Sequence, residues 1–534
     1  MPKRPSIRSA WAALAVAIFL AAAGNLRLWG ALIGGPEPLS WTALVAVFLA
    51  IVAVFGLLLQ IVAVPWIFKP IAGLLLMAAA AATVFMLGYG VLIDRSMVGN
   101  ALQTVAAEAA EFVTPRNLLG LLGLGVLPVA ALCWARLRYG PLRSELRLKA
   151  GLVAGTTAAA LAFAWPSFQE LSFAARRSPE LKLMLNPSSP IGSLISYLHG
   201  RSHAAAALTP IATDASRRDE PGRRRTVFVL VLGETATAAH FSLNGYERDT
   251  NPELSTRQVV NFPDVTACAT STADALPRIF SGLTREECSD LEFDLDDRET
   301  LLDVLQRVGV SVLWKDNNSG CKGVCERVRY EEATGPPELQ HDGAVYDEAL
   351  LVGLQAELDR QPGDLFLVLH QKGSHGPAYY RRSPPAFKRF LPECSGDDVQ
   401  RCPRDEVVNA YDNTILYTDH VLAMVIDFLA ANSATSQVAM LYVSDHGESL
   451  GENGIYLHGF PYWLAPYEQT HVPMLFWASP EFYEAHGQSL VALRAASGRP
   501  YSHDNVFHTI LGAFDVQTAS YDASLDLLEP APRS

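Results

Sequence analysis

Five apolar stretches in the first third of the chain constrain its fold more than any other feature. Each is close to the length that an α-helix needs to cross a bilayer, and they cover residues 10–24, 41–63, 67–93, 118–135 and 150–168. The first resembles a cleaved signal peptide, because Ala21, Ala22 and Ala23 look like a cleavage site. Further apolar stretches follow it at once, so we predict that it is retained and that five helices span a membrane.

The basic residues of the short loops predict the orientation of these helices. Lys3, Arg4 and Arg8 precede the first span, and the loop after the fourth span carries Arg136, Arg138, Arg143, Arg147 and Lys149. Short basic loops stay on the cytoplasmic side of the membrane. Five crossings then place the rest of the chain on the outer side.

Composition divides the chain into three predicted parts. Residues 1–168 form the transmembrane domain. Residues 169–225 are amphipathic at first and then small, polar and charged, which predicts membrane-surface helices followed by a linker. Residues 226–534 form an external, water-exposed domain.

Cysteine usage agrees with an external, oxidising location for the last part. Cys133 lies in a membrane span, and the other six cysteines all follow residue 225. An even set of this kind favours disulfides, and the local pairs are Cys321 with Cys325 and Cys394 with Cys402, which leaves Cys268 for Cys288. A cysteine zinc site is the alternative, but the paired spacings and histidines typical of such sites are missing.

The external domain alternates short apolar runs with stretches of helical character. The runs that end in polar residues cover residues 226–232, 310–314, 364–369 and 437–444, and a further run covers residues 472–477. This alternation predicts an α/β domain with a mainly parallel sheet, whose ligands bind at the carboxyl ends of the strands. The side chains expected to converge there are Glu234, Asn318, His370, Asp445 and His446.

The pair Asp445-His446, at the end of one run, is a candidate for metal ligation. A carboxylate oxygen and an imidazole nitrogen together suit zinc, and a catalytic zinc needs further ligands and an open position. The alternative interpretation is that Asp445 caps the following turn and that His446 is a satisfied buried histidine.

A nucleophile for such a site is expected in the small, hydroxyl-rich loop at residues 265–277, which precedes a short predicted helix. Helix N-termini bind phosphate through free amides, and a metal can activate a hydroxyl for attack. Helix capping is the alternative role for these Ser and Thr residues.

The loop between the third and fourth spans carries Asn100, Thr104 and Glu108, four residues apart. On a helix they share one face. This stripe could hold an amine-bearing lipid headgroup with Glu108 as its counter-ion, or it could be the solvated face of an interfacial helix.

Seven motifs are spread over the external domain: Gly233-Glu234-Thr235, Asn244-Gly245-Tyr246-x-Arg248-x-Thr250-Asn251-Pro252, Thr270-Ser271-Thr272, Asp316-Asn317-Asn318-Ser319-x-Cys321-Lys322, Gly373-Ser374-His375-Gly376-Pro377, Asn409-Ala-Tyr411-Asp412-Asn413-Thr414 and Ser444-Asp445-His446-Gly447-Glu448-Ser449-Leu450-Gly451-Glu452. Together with the five membrane spans, they resemble the lipid A phosphoethanolamine transferases, the family of the colistin-resistance enzymes within the alkaline-phosphatase-like superfamily. The resemblance covers nearly the whole chain.

The resemblance implies a role for each matching residue. One zinc, or two, would be bound, with Glu234, Thr272, Asp445 and His446 as ligands and Thr272 also as the nucleophile. His375 and His458 would contact phosphate or a second metal. Asn318, Lys322 and His370 would bind the substrate phosphate, and Asn100, Thr104 and Glu108 the phosphoethanolamine headgroup.

The implied partners are phosphatidylethanolamine as donor, lipid A or lipopolysaccharide as acceptor and the membrane, with no nucleic acid. The implied location is the bacterial inner membrane with a sulfatase-like catalytic domain in the periplasm, and the implied phenotype is polymyxin resistance. A covalent phosphothreonine and release of diacylglycerol would give ping-pong kinetics.

Two positions depart from the family pattern. Thr237 stands where an arginine is common, which puts a surface or metal-supporting contact in doubt, and Arg278 stands where a cysteine usually bridges the nucleophile loop. Cys268 then pairs with Cys288 or stays free. The alternatives for function are transfer to a core heptose or periplasmic glucan, a metal-dependent phosphodiesterase or sulfatase, and a non-enzymatic membrane sensor or scaffold.

Overall fold

The computed structural model describes residues 4–35, 38–202, 208–217, 222–290, 298–341, 344–396 and 398–529. Parts of the predicted linker, residues 203–207 and 218–221, lie outside this range. The chain divides into two compact units. The N-terminal unit comprises residues 1–98 and 112–197, and the C-terminal unit comprises residues 99–111 and 198–534.

Among its described residues, the N-terminal unit contains five helices that are long and apolar enough to cross a membrane, as predicted. They are α1 (Ser9–Gly34), α2 (Trp41–Val62), α3 (Phe68–Tyr89), α4 (Pro115–Trp134) and α5 (Leu142–Ala164). Helix α1 buries the small residues Ala10, Ala13 and Ala17 completely, and such residues let membrane helices approach closely. Shorter helices cover Arg95–Gln103, Ala106–Glu111, Phe168–Arg177 and Ser188–Ser202.

The C-terminal unit is built on one seven-stranded sheet. Its strands are β1 (Thr226–Gly233), β2 (Val260–Phe262), β3 (Ser311–Asp316), β4 (Arg329–Glu332), β5 (Leu365–His370), β6 (Gln437–Ser444) and β7 (Met474–Ala478). Their order across the sheet is β2-β7-β6-β1-β5-β3-β4. Strands β6, β1, β5, β3 and β4 run parallel, and β7 runs antiparallel to β6.

Helices cover both faces of this sheet. The main ones are α6 (Thr272–Ile279), α7 (Leu301–Arg307), α8 (Leu354–Arg360), α9 (Arg404–Asn432) and α10 (Asp504–Ala513). In β1, Phe228 packs in the cluster that contains α6, α7 and α10, whereas Val229 packs in the cluster that contains α8 and α9. A strand buried on both sides reads as a continuous apolar run, which explains why β1 lacks alternation.

Helix α9 is a sixth helix with the length and composition of a membrane span. It nevertheless belongs to the C-terminal unit. Its residues Tyr411, Ile415 and Leu422 are buried in the core against the sheet, and hydropathy alone cannot separate such a core helix from a spanning one.

The register of the parallel strands defines where the site lies. Gly233 pairs with Ser444, so Glu234 and Asp445 leave the ends of β1 and β6 side by side. His370 pairs with Asp316 at the ends of β5 and β3. The predicted convergence of polar residues at this edge of the sheet is therefore a direct result of strand alignment.

We predict that Phe228→Ala destabilises the C-terminal unit by about 3–5 kcal/mol, because it removes a buried ring and leaves a cavity. Phe228 lies 6.1–6.4 Å from the rings of Phe366, Phe476, Phe482 and Phe514. Thermal unfolding of the full-length protein in detergent measures the loss. Val491→Ala is the control, since Val491 is 78% exposed and should change stability by less than about 0.5 kcal/mol. Equal effects of the two variants would contradict the packing described.

Candidate active site

Four predicted residues meet at the ends of β1 and β6 and at the start of α6. The Thr272 hydroxyl lies 3.1 and 3.2 Å from the two Glu234 carboxylate oxygens and 3.3 Å from His446 Nε2. His446 Nε2 is also 3.4 Å from Glu234 Oε1 and 3.4 Å from Asp445 Oδ2. All four side chains are buried.

Thr272 is the first residue of α6, and two hydrogen bonds anchor the loop that precedes it. The Ala267 N–H donates to the Thr470 carbonyl at 2.7 Å, and the Thr270 hydroxyl donates to the Phe460 carbonyl at 2.7 Å. These bonds fix the direction in which the loop enters the helix. The Thr272 hydroxyl points at Glu234 and His446, which is the geometry expected of a reactive hydroxyl.

The contacts of Asp445 agree with both roles that its sequence context suggested, turn capping and metal ligation. Its Oδ1 accepts hydrogen bonds from the backbone N–H groups of Thr235 at 3.2 Å and His446 at 2.8 Å, so it does cap the local turn. Its Oδ2 is buried without a hydrogen-bond partner among the described residues. A buried carboxylate oxygen left in this way favours a cation beside it.

His446 is oriented as a ligand. Its Nδ1 lies 3.0 Å from the Gly447 carbonyl oxygen, which accepts the hydrogen bond of a protonated Nδ1 and leaves Nε2 with its lone pair. Histidines that bind metals are commonly held in this way by the other ring nitrogen.

The donor set fits a metal ion. Ligand atoms of Glu234, Asp445 and His446 lie within 4.8 Å of one another, and so do those of Glu234, His375 and His458. Burial, together with the charge of Glu234, raises the pKa of Asp445. Two buried carboxylates that repel each other are stabilised by a divalent cation, and the mixture of oxygen and nitrogen donors suits zinc.

His375 and His458 stand next to this group, with ring centroids 5.3 Å apart. His458 Nδ1 bonds Glu448 Oε2 at 2.7 Å, and His375 Nε2 pairs with Glu108 Oε1 at 2.7 Å. Burial raises the pKa of Glu448 to about 8. Burial alone would also raise the pKa of Glu108, but the charge and hydrogen bond of His375 hold it well below its usual range.

A second set of predicted residues forms a row of hydrogen-bonded side chains at the ends of β3 and β5. Asn318 donates to Glu234 Oε2 and lies 3.1 Å from His370 Nε2, while His370 Nδ1 bonds Asp316 Oδ1 at 2.6 Å. Burial would raise the pKa of Asp316, but the charge of His370 and two side-chain hydrogen bonds bring it to about 2. Lys322 is turned to its own loop, where it donates to the Ser319 carbonyl and hydroxyl at 3.0 and 2.9 Å.

The predicted headgroup stripe is not one helical face, which corrects the sequence interpretation. The helix Arg95–Gln103 ends before Thr104, and a second helix begins at Ala106. The Thr104 hydroxyl donates to the Asn100 carbonyl at 2.8 Å, a local bond that competes with the backbone pattern of a helix. Asn100 and Thr104 therefore stay together, while Glu108 lies on the second helix and pairs with His375.

Two of the three predicted disulfides are present, Cys321–Cys325 and Cys394–Cys402. The prediction that Cys268 pairs with Cys288 is wrong, because both are free, buried thiols. Cys268 Sγ lies 3.3 Å from His503 Nδ1 and 3.7 Å from the Ala275 carbonyl oxygen. Arg278 donates to the Cys268 carbonyl at 3.4 Å, so a hydrogen bond joins α6 to its loop at the position where the resemblance predicts a bridging cysteine.

Sequence reasoning missed some residues that contact the site. Lys372 lies 3.4 Å from Asn318 Oδ1 and 3.8 Å from Glu108 Oε2, and its position just before the Gly373-Ser374-His375 motif was the available signal. Tyr379 donates to Glu448 Oε1 at 2.5 Å. Thr237 is fully buried, so the departure at this position does not affect the protein surface.

Comparisons with known proteins match this architecture. Residues 226–516 fit the sulfatase family model, and residues 51–202 fit the model of phosphoethanolamine transferases EptA/EptB. The chain is 37% identical to phosphoethanolamine transferase EptA of Escherichia coli K12 over 99% of this chain and 98% of that protein. It is 36% identical to phosphatidylethanolamine transferase Mcr-1 of Escherichia coli over 94% of each.

Among solved structures, it aligns with the integral membrane protein lipooligosaccharide phosphoethanolamine transferase A of Neisseria meningitidis with a TM-score of 0.94, at 33% identity and over 100% of both chains. The similarity thus includes both the membrane helices and the α/β domain. The chain belongs to the phosphoethanolamine transferase family.

Proposed function

We propose that this protein transfers phosphoethanolamine from phosphatidylethanolamine to a phosphate of lipid A through a covalent intermediate on Thr272. The observation that carries the proposal is the Thr272 hydroxyl, held within 3.3 Å of Glu234 and His446 at the start of α6. Support for an acceptor that contains lipid A comes from relatives named Kdo(2)-lipid A phosphoethanolamine 7''-transferase, at 28% identity. The proposed location is the bacterial inner membrane, with the catalytic domain in the periplasm.

The proposed zinc ligands are Glu234, Thr272, Asp445 and His446, and Glu234, His375 and His458 are the candidates for a second ion. When bound there, zinc supplies Lewis-acid chemistry, since it lowers the pKa of a neighbouring hydroxyl and offsets negative charge on a phosphoryl group. The protein side chains position the reacting groups. Glu234 accepts hydrogen bonds from the Thr272 hydroxyl and from Asn318. One carboxylate therefore links the nucleophile to Asn318, a proposed phosphate-binding residue.

In the first half-reaction, Thr272 Oγ1 forms a bond to the phosphorus of phosphatidylethanolamine. The bond between that phosphorus and the glycerol oxygen breaks, and diacylglycerol leaves. The proton lost by Thr272 ends on the new diacylglycerol hydroxyl. With the second ion absent, His375 and His458 are the proposed proton carriers, because both imidazoles stand beside the site and both are anchored by carboxylates.

In the second half-reaction, an oxygen of a lipid A phosphate attacks the same phosphorus. The bond from phosphorus to Thr272 Oγ1 breaks, phosphoethanolamine passes to the acceptor, and the acceptor proton returns to Thr272. Asn318, His370 and Lys322 are the proposed phosphate-binding residues, because phosphoryl transfer depends chiefly on positioning and on offsetting charge.

The donor headgroup is proposed to lie against Asn100, Thr104 and Glu108. Glu108 would supply the negative charge for the ammonium group. Because Glu108 also bonds His375 at 2.7 Å, recognition of the headgroup would be tied directly to a residue beside the phosphoryl group. This link would favour a phosphodiester that carries an amine over one that does not.

The covalent step predicts a specific effect of Thr272 substitutions. Thr272→Ala should reduce release of diacylglycerol from fluorescent phosphatidylethanolamine by at least about 10³-fold, since the nucleophile is lost. Thr272→Ser keeps the hydroxyl and should retain measurable release. Intact-mass spectrometry should find one phosphoethanolamine on the wild type and none on Thr272→Ala. Release by Thr272→Ala at the rate of the wild type would contradict the covalent mechanism.

Metal dependence is tested by Asp445→Asn and by a chelator. We expect either change to remove zinc and diacylglycerol release together, because a neutral amide is a much weaker ligand than a carboxylate. Asp427→Asn is the matched control, as Asp427 lies on the same unit with its side chain 66% exposed. Full turnover by a protein free of zinc would contradict the assignment.

The acceptor is tested in cells that produce wild type or Thr272→Ala. Mass spectrometry of the extracted lipid A should show added phosphoethanolamine only with the wild type, accompanied by increased polymyxin resistance. Modification confined to the core heptose or to periplasmic glucan would reassign the acceptor. Release of free phosphoethanolamine with no modified glycan would favour a phosphodiesterase instead.

A further inference from the structure

The residue after Glu234 has an unusual backbone conformation. Thr235 has a φ of 53°, in the left-handed region that a β-branched residue rarely adopts. Such a conformation costs free energy and persists only where surrounding contacts enforce it. Because Glu234 immediately precedes Thr235, the same turn determines where the Glu234 carboxylate points.

Every backbone N–H of this turn has a partner. Thr235 donates to Asp445 Oδ1 at 3.2 Å, Ala236 to Ser444 Oγ at 2.8 Å, Thr237 to the Tyr411 hydroxyl oxygen at 2.9 Å and Ala238 to the His471 carbonyl at 3.0 Å. Three of these four partners are side chains. The turn is therefore held by its surroundings and not by its own secondary structure.

Tyr411 differs from the other partners because its hydroxyl bonds the turn twice. It accepts from the Thr237 N–H and donates to the Thr235 carbonyl at 2.6 Å, so it bridges the turn across Ala236 and holds the carbonyl group of the strained residue. The Tyr411 ring is fully buried on α9, and the rings of His240 and Tyr379 lie edge-on at 5.2 and 5.5 Å. This packing fixes the position of the Tyr411 hydroxyl, so it would not move with the turn if the turn changed conformation.

We propose that Tyr411 is a positioning residue, whose hydroxyl keeps Thr235 in the left-handed conformation and thereby directs Glu234 to Thr272. This role rests on the proposed function, in which Glu234 is a zinc ligand. Without the hydroxyl, the Thr235 carbonyl is released and Thr235 can relax toward an ordinary, negative φ. The Glu234 carboxylate then moves away from His446 and Thr272, although neither of these residues has changed.

The test begins with Tyr411→Phe in the full-length protein, with zinc affinity measured by competition with a chelator. We expect affinity to fall about 10–100-fold, the usual effect of losing a group that orients a ligand. Tyr417→Phe is the matched control, since Tyr417 is a buried tyrosine of the same helix whose hydroxyl accepts the Glu348 N–H at 3.2 Å. It should bind zinc as the wild type does.

A rescue experiment separates backbone control from general damage. In the Tyr411→Phe background, Thr235→Gly should restore most of the zinc affinity, because glycine adopts a positive φ without penalty. Thr235→Ala removes the same hydroxyl and methyl groups but retains Cβ, so it should not restore affinity.

Failure of the Tyr411 proposal and failure of the proposed function would give different results. Equal zinc affinity in wild type and Tyr411→Phe, or rescue by alanine as complete as that by glycine, would overturn the role of Tyr411. Absence of phosphoethanolamine on Thr272 in the wild type would instead overturn the proposed function, whatever the zinc affinities are.

Discussion

The site depends on placing two carboxylates, Glu234 and Asp445, next to each other in the interior of the protein. Burial and mutual repulsion oppose this arrangement. The parallel register of β1 and β6 imposes it nevertheless, because Gly233 and Ser444 are paired and the next residues of both strands emerge together. The negative charge concentrated there accounts for the neighbouring imidazoles and for a donor set that suits a divalent cation.

Several motif residues on α9 take no part in the proposed reaction but support the active-site loops. Helix α9 presents Tyr411 to the turn after Glu234, and Thr414 donates to the Ser374 hydroxyl beside His375 at 2.7 Å. Asp412, between them, bonds His240 at 2.6 Å and Arg248 at 2.8 Å. One stretch of helix thus secures two loops of the active site and the segment that joins β1 to β2.

Much of this arrangement follows from local sequence patterns. The membrane helices and buried strands are long apolar runs, and Asp445-His446 is contiguous, so composition and periodicity were enough to predict them. The break at Thr104 was missed because the four-residue spacing of the stripe fits a continuous helix and does not mark where a helix ends. The pairing of Cys268 with Cys288 was wrong because cysteine parity carries no information about which side chains face each other.

Contacts between residues far apart in the sequence could not be predicted from local sequence patterns. Glu108 and His375 are far apart in sequence, and their pairing depends on tertiary structure. The same holds for Tyr411 and Thr235, where a positive φ leaves no trace in residue type, since threonine is a poor indicator of a left-handed turn.

The assignment of residues 99–111 to the C-terminal unit has a consequence for modularity. This segment lies between two membrane helices in the sequence, yet Glu108 bonds His375, and Glu111 accepts from Arg382 at 2.6 Å. A fragment that begins at residue 226 therefore contains the sheet and all proposed zinc ligands but leaves His375 and Arg382 without these carboxylates. Chimeras that join residues 99–111 of one relative to the α/β domain of another would keep these contacts only if carboxylates stand at positions 108 and 111.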